Sequence, residues 1–204
     1  MIESIKTYCD NLTKEFDTIT KERKELLEQI TKYISQKKVI NKPINLVYIC
    51  THNSRRSHFG QIWAKVAANY YSIDHVKTFS GGTEATAFNI NALNAINRVG
   101  FDIEKKNDNI NPIYHIYYDK NETPITCFSK VYNDDANPSS EFAAIMTCSD
   151  AEENCPFIAG VELRIGTTYD DPKAFDNTNL QDAKYDERCK QIAFETFYIF
   201  SKTK

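Results

Sequence analysis

The chain has 204 residues, of which 41% are hydrophobic and 26% are charged. These proportions are typical of a folded globular protein and exclude a disordered or fibrous one. The net charge of −3 argues against a general nucleic-acid-binding protein, which needs surplus cations to displace phosphate counterions. No apolar run approaches the ~20 residues that span a bilayer, and residues 1–14 lack a signal-peptide core. We therefore expect a cytoplasmic protein with no nucleic-acid or membrane partner.

Residues 1–42 are predicted to form a helical extension ahead of the main domain. Up to residue 38 the segment is polar and has no Gly or Pro, and its apolar residues recur at helical spacing. We interpret the two resulting stripes as two helices that form a hairpin. The stripes comprise Ile2, Ile5, Leu12 and Phe16, and then Leu26, Leu27, Ile30, Tyr33 and Ile34. Such an amphipathic pair packs on its own domain or joins two chains, so a homodimer through this extension is one expectation.

Residues 43–204 alternate apolar strands with amphipathic helices. Ile44–Ile49 is a short run rich in branched side chains, which predicts a buried strand, and helical spacing begins at Ser57. Asn89 and Gly100 are a typical cap and stop for a helix over 89–99. Further strands are predicted at 76–79, 143–146 and 161–165, and a C-terminal helix at 185–200. This alternation indicates an α/β domain whose parallel sheet is covered on both faces.

Residues 104–142 do not fit the alternation. They hold strand-like pieces at 114–118 and 125–131 between polar turns. We interpret this stretch as an insertion into the domain.

The candidate catalytic residues of the chain are concentrated in the loop after the first strand. Cys50 ends that strand, and Arg56 and Ser57 follow where the helix begins. A loop of this length can turn several backbone N–H groups inward at the positive end of the helix, where they hold a tetrahedral oxyanion. The guanidinium of Arg56 would bind two oxygens of that anion. The same charge and the helix dipole favour the thiolate of Cys50, which predicts a nucleophile.

The other loop residues are assigned to the same oxyanion site. The Ser57 hydroxyl can hydrogen-bond the thiolate, while Asn53 tolerates a left-handed backbone and can brace the loop with its amide. The full predicted oxyanion-binding set is Thr51, His52, Asn53, Ser54, Arg55, Arg56 and Ser57. The alternative is that Cys50 is a buried structural cysteine beside the start of a helix.

The stretch VYICTHNSRRS resembles the phosphate loop of the low-molecular-weight protein tyrosine phosphatases and of their relatives, the thioredoxin-coupled arsenate reductases. The resemblance implies a three-layer, flavodoxin-like fold with a four-stranded parallel sheet. It also implies a small oxyanion substrate, arsenate or a phosphate ester, and an aspartate before a proline as the general acid that protonates the departing oxygen. Asp171 precedes Pro172 and is assigned to that role, with Asp170 as the competing candidate.

A second stretch, IMTCSDAEENCP at 145–156, resembles the redox segment of the arsenate reductases, which the ordinary tyrosine phosphatases lack. The resemblance implies a thiol relay. Cys50 attacks arsenate, Cys148 then attacks Cys50, and Cys155 attacks Cys148 to leave a disulfide that thioredoxin reduces. The polar run 149–154 would supply the necessary mobility. The alternative is that Cys148 is a buried strand residue and Cys155 a loop thiol.

We expect neither a metal nor another cofactor. The six-residue gap between Cys148 and Cys155 lacks the tight spacing of zinc ligands, and no His lies nearby in the sequence. The remaining cysteines, Cys9, Cys127 and Cys189, carry no motif and are interpreted as packing residues. In a reducing compartment all six cysteines are expected to be thiols.

Two loop positions depart from the family pattern. The family usually has Gly where His52 stands and often a second Cys where Arg55 stands. His52 would strain the loop or narrow the pocket, and Arg55 would add a cation for the oxyanion or point to solvent. Tyrosine phosphatases also tend to carry aromatic residues directly after the Asp-Pro pair, where this chain has Lys173 and Ala174, which weakens the phosphotyrosine alternative.

Three functions remain open from the sequence. An arsenate reductase would use all three cysteines of the relay, and this is the leading hypothesis. A phosphomonoesterase acting on phosphotyrosine needs only Cys50, Arg56 and Asp171, because water hydrolyses its phosphocysteine. A non-enzymatic oxyanion sensor or partner-binding module would work through the helical extension.

Overall fold

The computed structural model describes residues 1–154 and 157–203, in which strands and helices alternate over the main domain. The strands are β1 (Ile44–Cys50), β2 (Val76–Gly82), β3 (Asp102–Lys105), β4 (Tyr114–Tyr117), β5 (Ile125–Cys127), β6 (Phe142–Met146) and β7 (Val161–Gly166). The α-helices are α1 (Glu3–Leu12), α2 (Lys21–Val39), α3 (Arg56–Tyr70), α4 (Ile90–Val99), α5 (Ser149–Asn154) and α6 (Gln181–Ser201). Short 3₁₀ helices span Thr13–Thr18 and Pro172–Phe175.

The central sheet is parallel and has four strands in the order β2-β1-β6-β7. Every residue of β6 is buried, as are all but one of β1, which is why the sequence of both strands is almost uniformly apolar. The predicted α/β fold with a four-stranded parallel sheet is therefore confirmed. Because β1 and β6 are neighbours, the residues that follow them meet at the same edge of the sheet.

Two hydrophobic clusters cover the two faces of this sheet. Alternate residues of β1 point to opposite faces, so Leu46 and Tyr48 join one cluster while Val47 and Ile49 join the other. The larger cluster is formed with α1, α2, α3, α4 and α6. The smaller cluster includes Ala151 of α5. The result is the three-layer arrangement that the resemblance implied.

The N-terminal helices do not pack as the predicted hairpin. α1 lies against α4 and α6, while α2 lies against α6 and β1. Their apolar stripes are buried in this way against the same chain, with fully buried residues at Ile5, Cys9, Leu27, Ile30 and Ile34. The side chain of Thr20 caps α2 by accepting a hydrogen bond from the N–H of Arg23 (3.3 Å). The stripes therefore serve as internal packing faces.

A second, antiparallel sheet with the order β3-β4-β5 occupies residues 102–127. The pieces expected at 114–118 and 125–131 correspond to β4 and to a β5 that ends earlier, at Cys127. β3 was not predicted, because the sequence DIEK is mostly polar and only its isoleucine faces inward. After β5 the chain returns to the central sheet, where Gly82 and Val131 form an isolated parallel bridge.

Within residues 1–154 and 157–203, no helix combines the length and the apolar character that crossing a membrane requires.

Candidate active site

Two cysteines lie at one edge of the central sheet. Cys50 is the last residue of β1, and Cys148 follows β6 by two positions. In an open parallel sheet, ligands bind outside the carboxyl ends of the strands, so this edge is where a site is expected. Both cysteines are almost fully buried, at 3% and 1% exposure.

The carbonyl groups of the loop after β1 point away from its centre. The carbonyl of Cys50 accepts a hydrogen bond from the N–H of Thr83 (3.2 Å), and that of Thr51 accepts from the N–H of Glu84 (2.8 Å). The carbonyl of Ser54 accepts from the N–H of Asn89 (2.9 Å). In a trans peptide the N–H of the next residue points the opposite way, so the amides of residues 51, 52 and 55 face the interior of the loop. This is the orientation that an oxyanion cradle requires.

Cys50 lies at the floor of this cradle in contact with Ser57. The two side-chain atoms, Sγ and Oγ, are 3.1 Å apart. Asn53 has a φ of 42°, and its side-chain amide donates to the Ser57 hydroxyl at 2.8 Å. The predicted left-handed backbone and brace at Asn53 are therefore confirmed. Because Asn53 donates to Ser57, the hydroxyl proton of Ser57 remains available to the sulfur of Cys50.

The insertion supports the loop from its outer side. Lys130 donates its backbone N–H to the Asn53 side-chain oxygen (2.9 Å), and the Ser129 hydroxyl donates to the carbonyl of His52 (3.0 Å). Thr86 also donates to the His52 carbonyl (3.1 Å). The sequence did not reveal these contacts, because they join residues 77 positions apart for Ser129 and for Lys130. The insertion is thus part of the frame that holds the cradle.

Arg56 connects the loop to the Asp-Pro segment. One terminal nitrogen donates to Asp171 Oδ2 (2.7 Å) and the other donates to the carbonyl of Tyr169 (2.7 Å). The second oxygen of Asp171 accepts from the N–H of Lys173 (3.0 Å), which caps the 3₁₀ helix that follows. Asp170 instead has a side chain that is 97% exposed and pairs at the surface with Arg188. Of the two candidates, Asp171 is the one beside the loop.

Arg55 does not point to solvent. Its guanidinium is buried, donates to the hydroxyl of Tyr185 (2.7 Å), and lies 3.5 Å from a carboxylate oxygen of Asp176. Ser54 likewise turns its hydroxyl to the carbonyl of Ala87 (2.7 Å). The side chains of Ser54 and Arg55 therefore fix the loop to its surroundings. If these two residues bind an oxyanion as predicted, they do so through their backbone N–H groups and not through their side chains.

His52 stands at the rim of the loop. Its Nδ1 lies 3.3 Å from a carboxylate oxygen of Glu84, and 39% of its side chain is exposed. Its φ is not positive, so the expected strain at this position, where the family has Gly, is wrong.

Cys148 lies against the first residue of the loop. Its sulfur is 3.4 Å from the Thr51 hydroxyl and accepts a hydrogen bond from the N–H of Ala151 (3.4 Å), so it caps α5. The polar run 149–154, which was expected to supply mobility, forms the short helix α5. Arg164 of β7 holds this helix by pairing with Glu152 (2.7 Å). Cys155, the third cysteine of the predicted relay, lies outside the described residues.

A buried ionic network joins the N-terminal extension to the site. Arg23 of α2 makes two hydrogen bonds to the carboxylate of Glu195 in α6, at 3.0 and 2.6 Å, and also donates to the carbonyl of Thr167. The Tyr169 hydroxyl donates to the same carboxylate at 2.8 Å. Burial and the neighbouring charge of Glu195 hold the pKa of Tyr169 well above its usual range. Since the carbonyl of Tyr169 receives a hydrogen bond from Arg56, α2 helps to position that guanidinium.

The other described cysteines are packing residues, as predicted. Cys9, Cys127 and Cys189 are buried, and burial raises the pKa of each thiol to about 12. Cys189 accepts a hydrogen bond from the indole N–H of Trp63 (3.3 Å). In the described part of the chain, no group of three or more His, Cys, Asp or Glu residues is arranged to hold a metal ion.

Comparison with known proteins identifies relatives among the arsenate reductases, although no family model matches the chain. It is 26% identical over 158 residues to an arsenate reductase of Bacillus subtilis, an alignment that covers 78% of this chain and 95% of that protein. It is 30% identical over 127 residues to arsenate reductase 2 of Staphylococcus haemolyticus, which covers 62% of this chain and 77% of that protein.

Solved structures show the same fold at low sequence identity. An arsenate reductase in its phosphate-binding state superposes with a TM-score of 0.53 at 15% identity, over 79% of this chain and 99% of that one. A low-molecular-weight phosphotyrosine phosphatase of Vibrio cholerae superposes with a TM-score of 0.52 at 13% identity, over 78% of this chain and 95% of that one. Together with the sequence relatives, this fold shows that the chain belongs to the low-molecular-weight phosphatase superfamily, close to its arsenate reductase branch.

Proposed function

We propose that the protein reduces arsenate to arsenite through a relay of Cys50, Cys148 and Cys155, with thioredoxin as the reductant. One observation carries the proposal. The carbonyl groups of residues 50, 51 and 54 are held outward, which aims loop amides at the space above Cys50. Cys148, a second thiol, contacts the same loop through Thr51 at 3.4 Å.

In the first step the Cys50 thiolate attacks the arsenic of bound arsenate. A sulfur–arsenic bond forms and one arsenic–oxygen bond breaks, and Asp171 supplies the proton with which that oxygen leaves as water. The inward amides and Arg56 bind the remaining oxygens. Arg56 is already aligned for this task by Asp171 and the carbonyl of Tyr169, each at 2.7 Å.

In the second step the Cys148 thiolate attacks the sulfur of Cys50. A disulfide forms, the sulfur–arsenic bond breaks, and its electron pair stays on arsenic. Two thiols are thereby oxidised to a disulfide while arsenic is reduced from the +5 to the +3 state, and arsenite leaves. The position of Cys148 beside Thr51, the residue after Cys50, favours this exchange.

In the third step Cys155 attacks Cys148, which releases the Cys50 thiolate and leaves a Cys148–Cys155 disulfide. A dithiol of the thioredoxin class reduces that disulfide by the same exchange. This chemistry needs a reducing compartment, so the proposal includes a cytoplasmic location. The proposed relay does not require the homodimer that the sequence suggested, because the apolar stripes of α1 and α2 are buried within the chain.

Phosphomonoester hydrolysis is a second candidate activity. Cys50, Arg56 and Asp171 suffice for it, and the hydrogen bond of 2.7 Å between Arg56 and Asp171 brings the last two together. Phosphate and arsenate have nearly the same shape, so one cradle accepts both. The two activities differ in their need for Cys148.

The test compares both activities in the Cys148→Ser variant of the full chain. Turnover of arsenate is measured with thioredoxin and its reductase, and hydrolysis is measured with an aryl phosphate. We expect arsenate turnover to fall by a factor of ~10³ or more, since no second thiol reaches Cys50, while aryl phosphate hydrolysis stays within about twofold. Arsenate turnover that survives the change would overturn the relay.

Cys189→Ser is the matched control for that experiment. Cys189 is also buried and also hydrogen-bonded, but its partner is Trp63, and serine can accept the same bond. Both activities should stay close to those of the unchanged protein. A loss of arsenate turnover in this control would attribute the effect to general damage of the fold.

A further inference from the structure

A cavity of about 350 Å³ lies outside the candidate active site, along the outer edge of β2. Its walls are residues 76–79 of β2, the residues of α3 that face them, and the stretch from Thr123 to Lys130. The volume is in the range of sites for small organic molecules. The lining combines apolar and aromatic side chains with lysines, and nothing in the proposed reaction uses it.

Lys130 places a charged group in this cavity without a partner. The residue is only 4% exposed, and its ammonium, which is not among the fully enclosed polar groups, forms no hydrogen bond or ion pair with the described residues. The ring of Phe128 lies beside it, with its centre 4.5 Å from Nζ. Burial lowers the pKa of Lys130, while the charge of Asp134 acts on it only from a distance. A lysine with a buried stem presents its ammonium at the open end of the side chain, which here lines the cavity and can pair with an anion.

Two further lysines face the same space. Lys65 of α3 and Lys77 of β2 line the cavity, and neither forms an ion pair within the described chain. The thirteen lining residues include no Asp or Glu. The cavity therefore has three positive groups and no negative one, although the protein as a whole carries a net charge of −3.

We propose that this cavity binds a small organic anion, with a carboxylate or phosphate head at Lys130, Lys65 and Lys77 and an apolar body against Phe79 and Phe128. Lysines act as point charges that accept either head group, and the rings supply the surface that an apolar body needs. The site is separate from the oxyanion cradle and does not depend on the reaction that the cradle performs.

Occupancy of the cavity is linked to the cradle through the backbone of Lys130. Its N–H donates to the Asn53 side chain at 2.9 Å, and its carbonyl accepts from the N–H of Gly82 at 2.9 Å. Asn53 in turn braces Ser57 beneath Cys50. An anion that fixes the Lys130 side chain also fixes the residue that holds the cradle from outside.

The test titrates the full chain with sodium benzoate and, separately, with sodium phenylphosphonate, and follows the Lys130 side chain by NMR. Its resonance is assigned by its loss in Lys130→Met. We expect a saturable shift and a rise in the pKa of Lys130, because a bound anion favours the charged form. A response to benzoate alone identifies a carboxylate head, and a response to phenylphosphonate alone identifies a phosphate-like one. If neither probe moves the resonance at millimolar concentrations, the proposal is wrong.

Binding to variants provides the second measurement. Lys130→Met keeps the length of the side chain and should weaken binding of the responding probe at least tenfold. Lys32→Met, which removes an exposed lysine of α2, should bind as the unchanged protein does. Equal affinity in Lys130→Met and the unchanged protein would also overturn the proposal, because the probe would then be held elsewhere.

Discussion

The phosphate loop at residues 50–57 and the redox segment that begins at Cys148 lie side by side but are held very differently. In the loop, each side chain from Asn53 to Ser57 has a hydrogen-bond partner, and the carbonyl groups are fixed by three other parts of the chain. Cys148 contacts the loop at Thr51, and α5 is joined to β7 through Glu152, whose carboxylate and carbonyl both accept from Arg164.

The difference matches what the two regions would have to do. A cradle for an oxyanion works by pre-orienting its donors, which means that its frame must not relax when the charge arrives. A thiol that exchanges with two partners in succession must change its position between steps. The loop is built for the first requirement, and the short helix after β6, joined to β7 through Arg164 and Glu152, is the segment that would have to shift for the second.

The largest effect is expected from Cys50→Ser. Removing the nucleophile should lower both arsenate turnover and aryl phosphate hydrolysis by ~10⁴-fold or more. The loop should survive, because serine at this position can keep the contact with Ser57, so phosphate should still bind in a calorimetric titration. If turnover falls by less than a hundredfold, Cys50 is not the nucleophile and the comparison between the two regions loses its basis.

Asp171→Asn should have the next largest effect. Asparagine keeps the shape of the side chain and a hydrogen bond from Arg56 but supplies no proton, so kcat should fall by ~10²- to 10³-fold for both substrates. Asp170→Asn is the matched control, since its side chain is 97% exposed, and it should change kcat by less than about twofold. Equal losses in the two variants would contradict the assignment of Asp171 as the acid.

The hydrogen bonds that support the phosphate loop reach the N-terminal extension at Arg23. The substitution Arg23→Met tests this connection. It leaves the buried Glu195 carboxylate with only the Tyr169 hydroxyl, which should lower the free energy of unfolding by ~3 kcal/mol in urea denaturation. Because Tyr169 also receives the hydrogen bond of Arg56, we expect kcat to fall about tenfold.

A second substitution separates the charge from the packing in that experiment. Glu195→Gln combined with Arg23→Met removes the unpaired carboxylate and should recover most of the lost stability. Lys21→Met, two residues before Arg23 at the exposed start of α2, should change neither quantity. Unchanged kcat in Arg23→Met would limit the extension to a structural role.

The sequence predicted the parts of the molecule that local patterns encode. Strand β1, the loop and α3 follow from a buried apolar run, a fixed spacing of Cys50 and Arg56, and helical periodicity. The cap at Asn89 and the stop at Gly100, with a φ of 115°, follow from the conformations that those residues prefer.

The contacts that hold the active-site loop in place could not be predicted in the same way. Arg55 looked like a free cation because its partners, Tyr185 and Asp176, lie more than a hundred residues away. Lys130 and Ser129 belong to a stretch without clear periodicity, and their bonds to the loop are made by the backbone or by a small hydroxyl. Such contacts depend on the tertiary fold and leave no local pattern.

The smallest effect is expected where the redox segment is tied down, at the pair of Glu152 and Arg164. Glu152→Gln weakens this ion pair, whose atoms are 2.7 Å apart, without touching the loop. The hold on α5 then loosens and Cys148 spends less time beside Thr51, so release of arsenite in a single turnover should slow about two- to fivefold. Hydrolysis of an aryl phosphate and phosphate affinity should not change, because Cys50, Arg56 and Asp171 keep their contacts. A loss of hydrolysis equal to the loss of arsenite release would mean that the segment belongs to the rigid frame of the cradle, and the contrast between the two regions would be false.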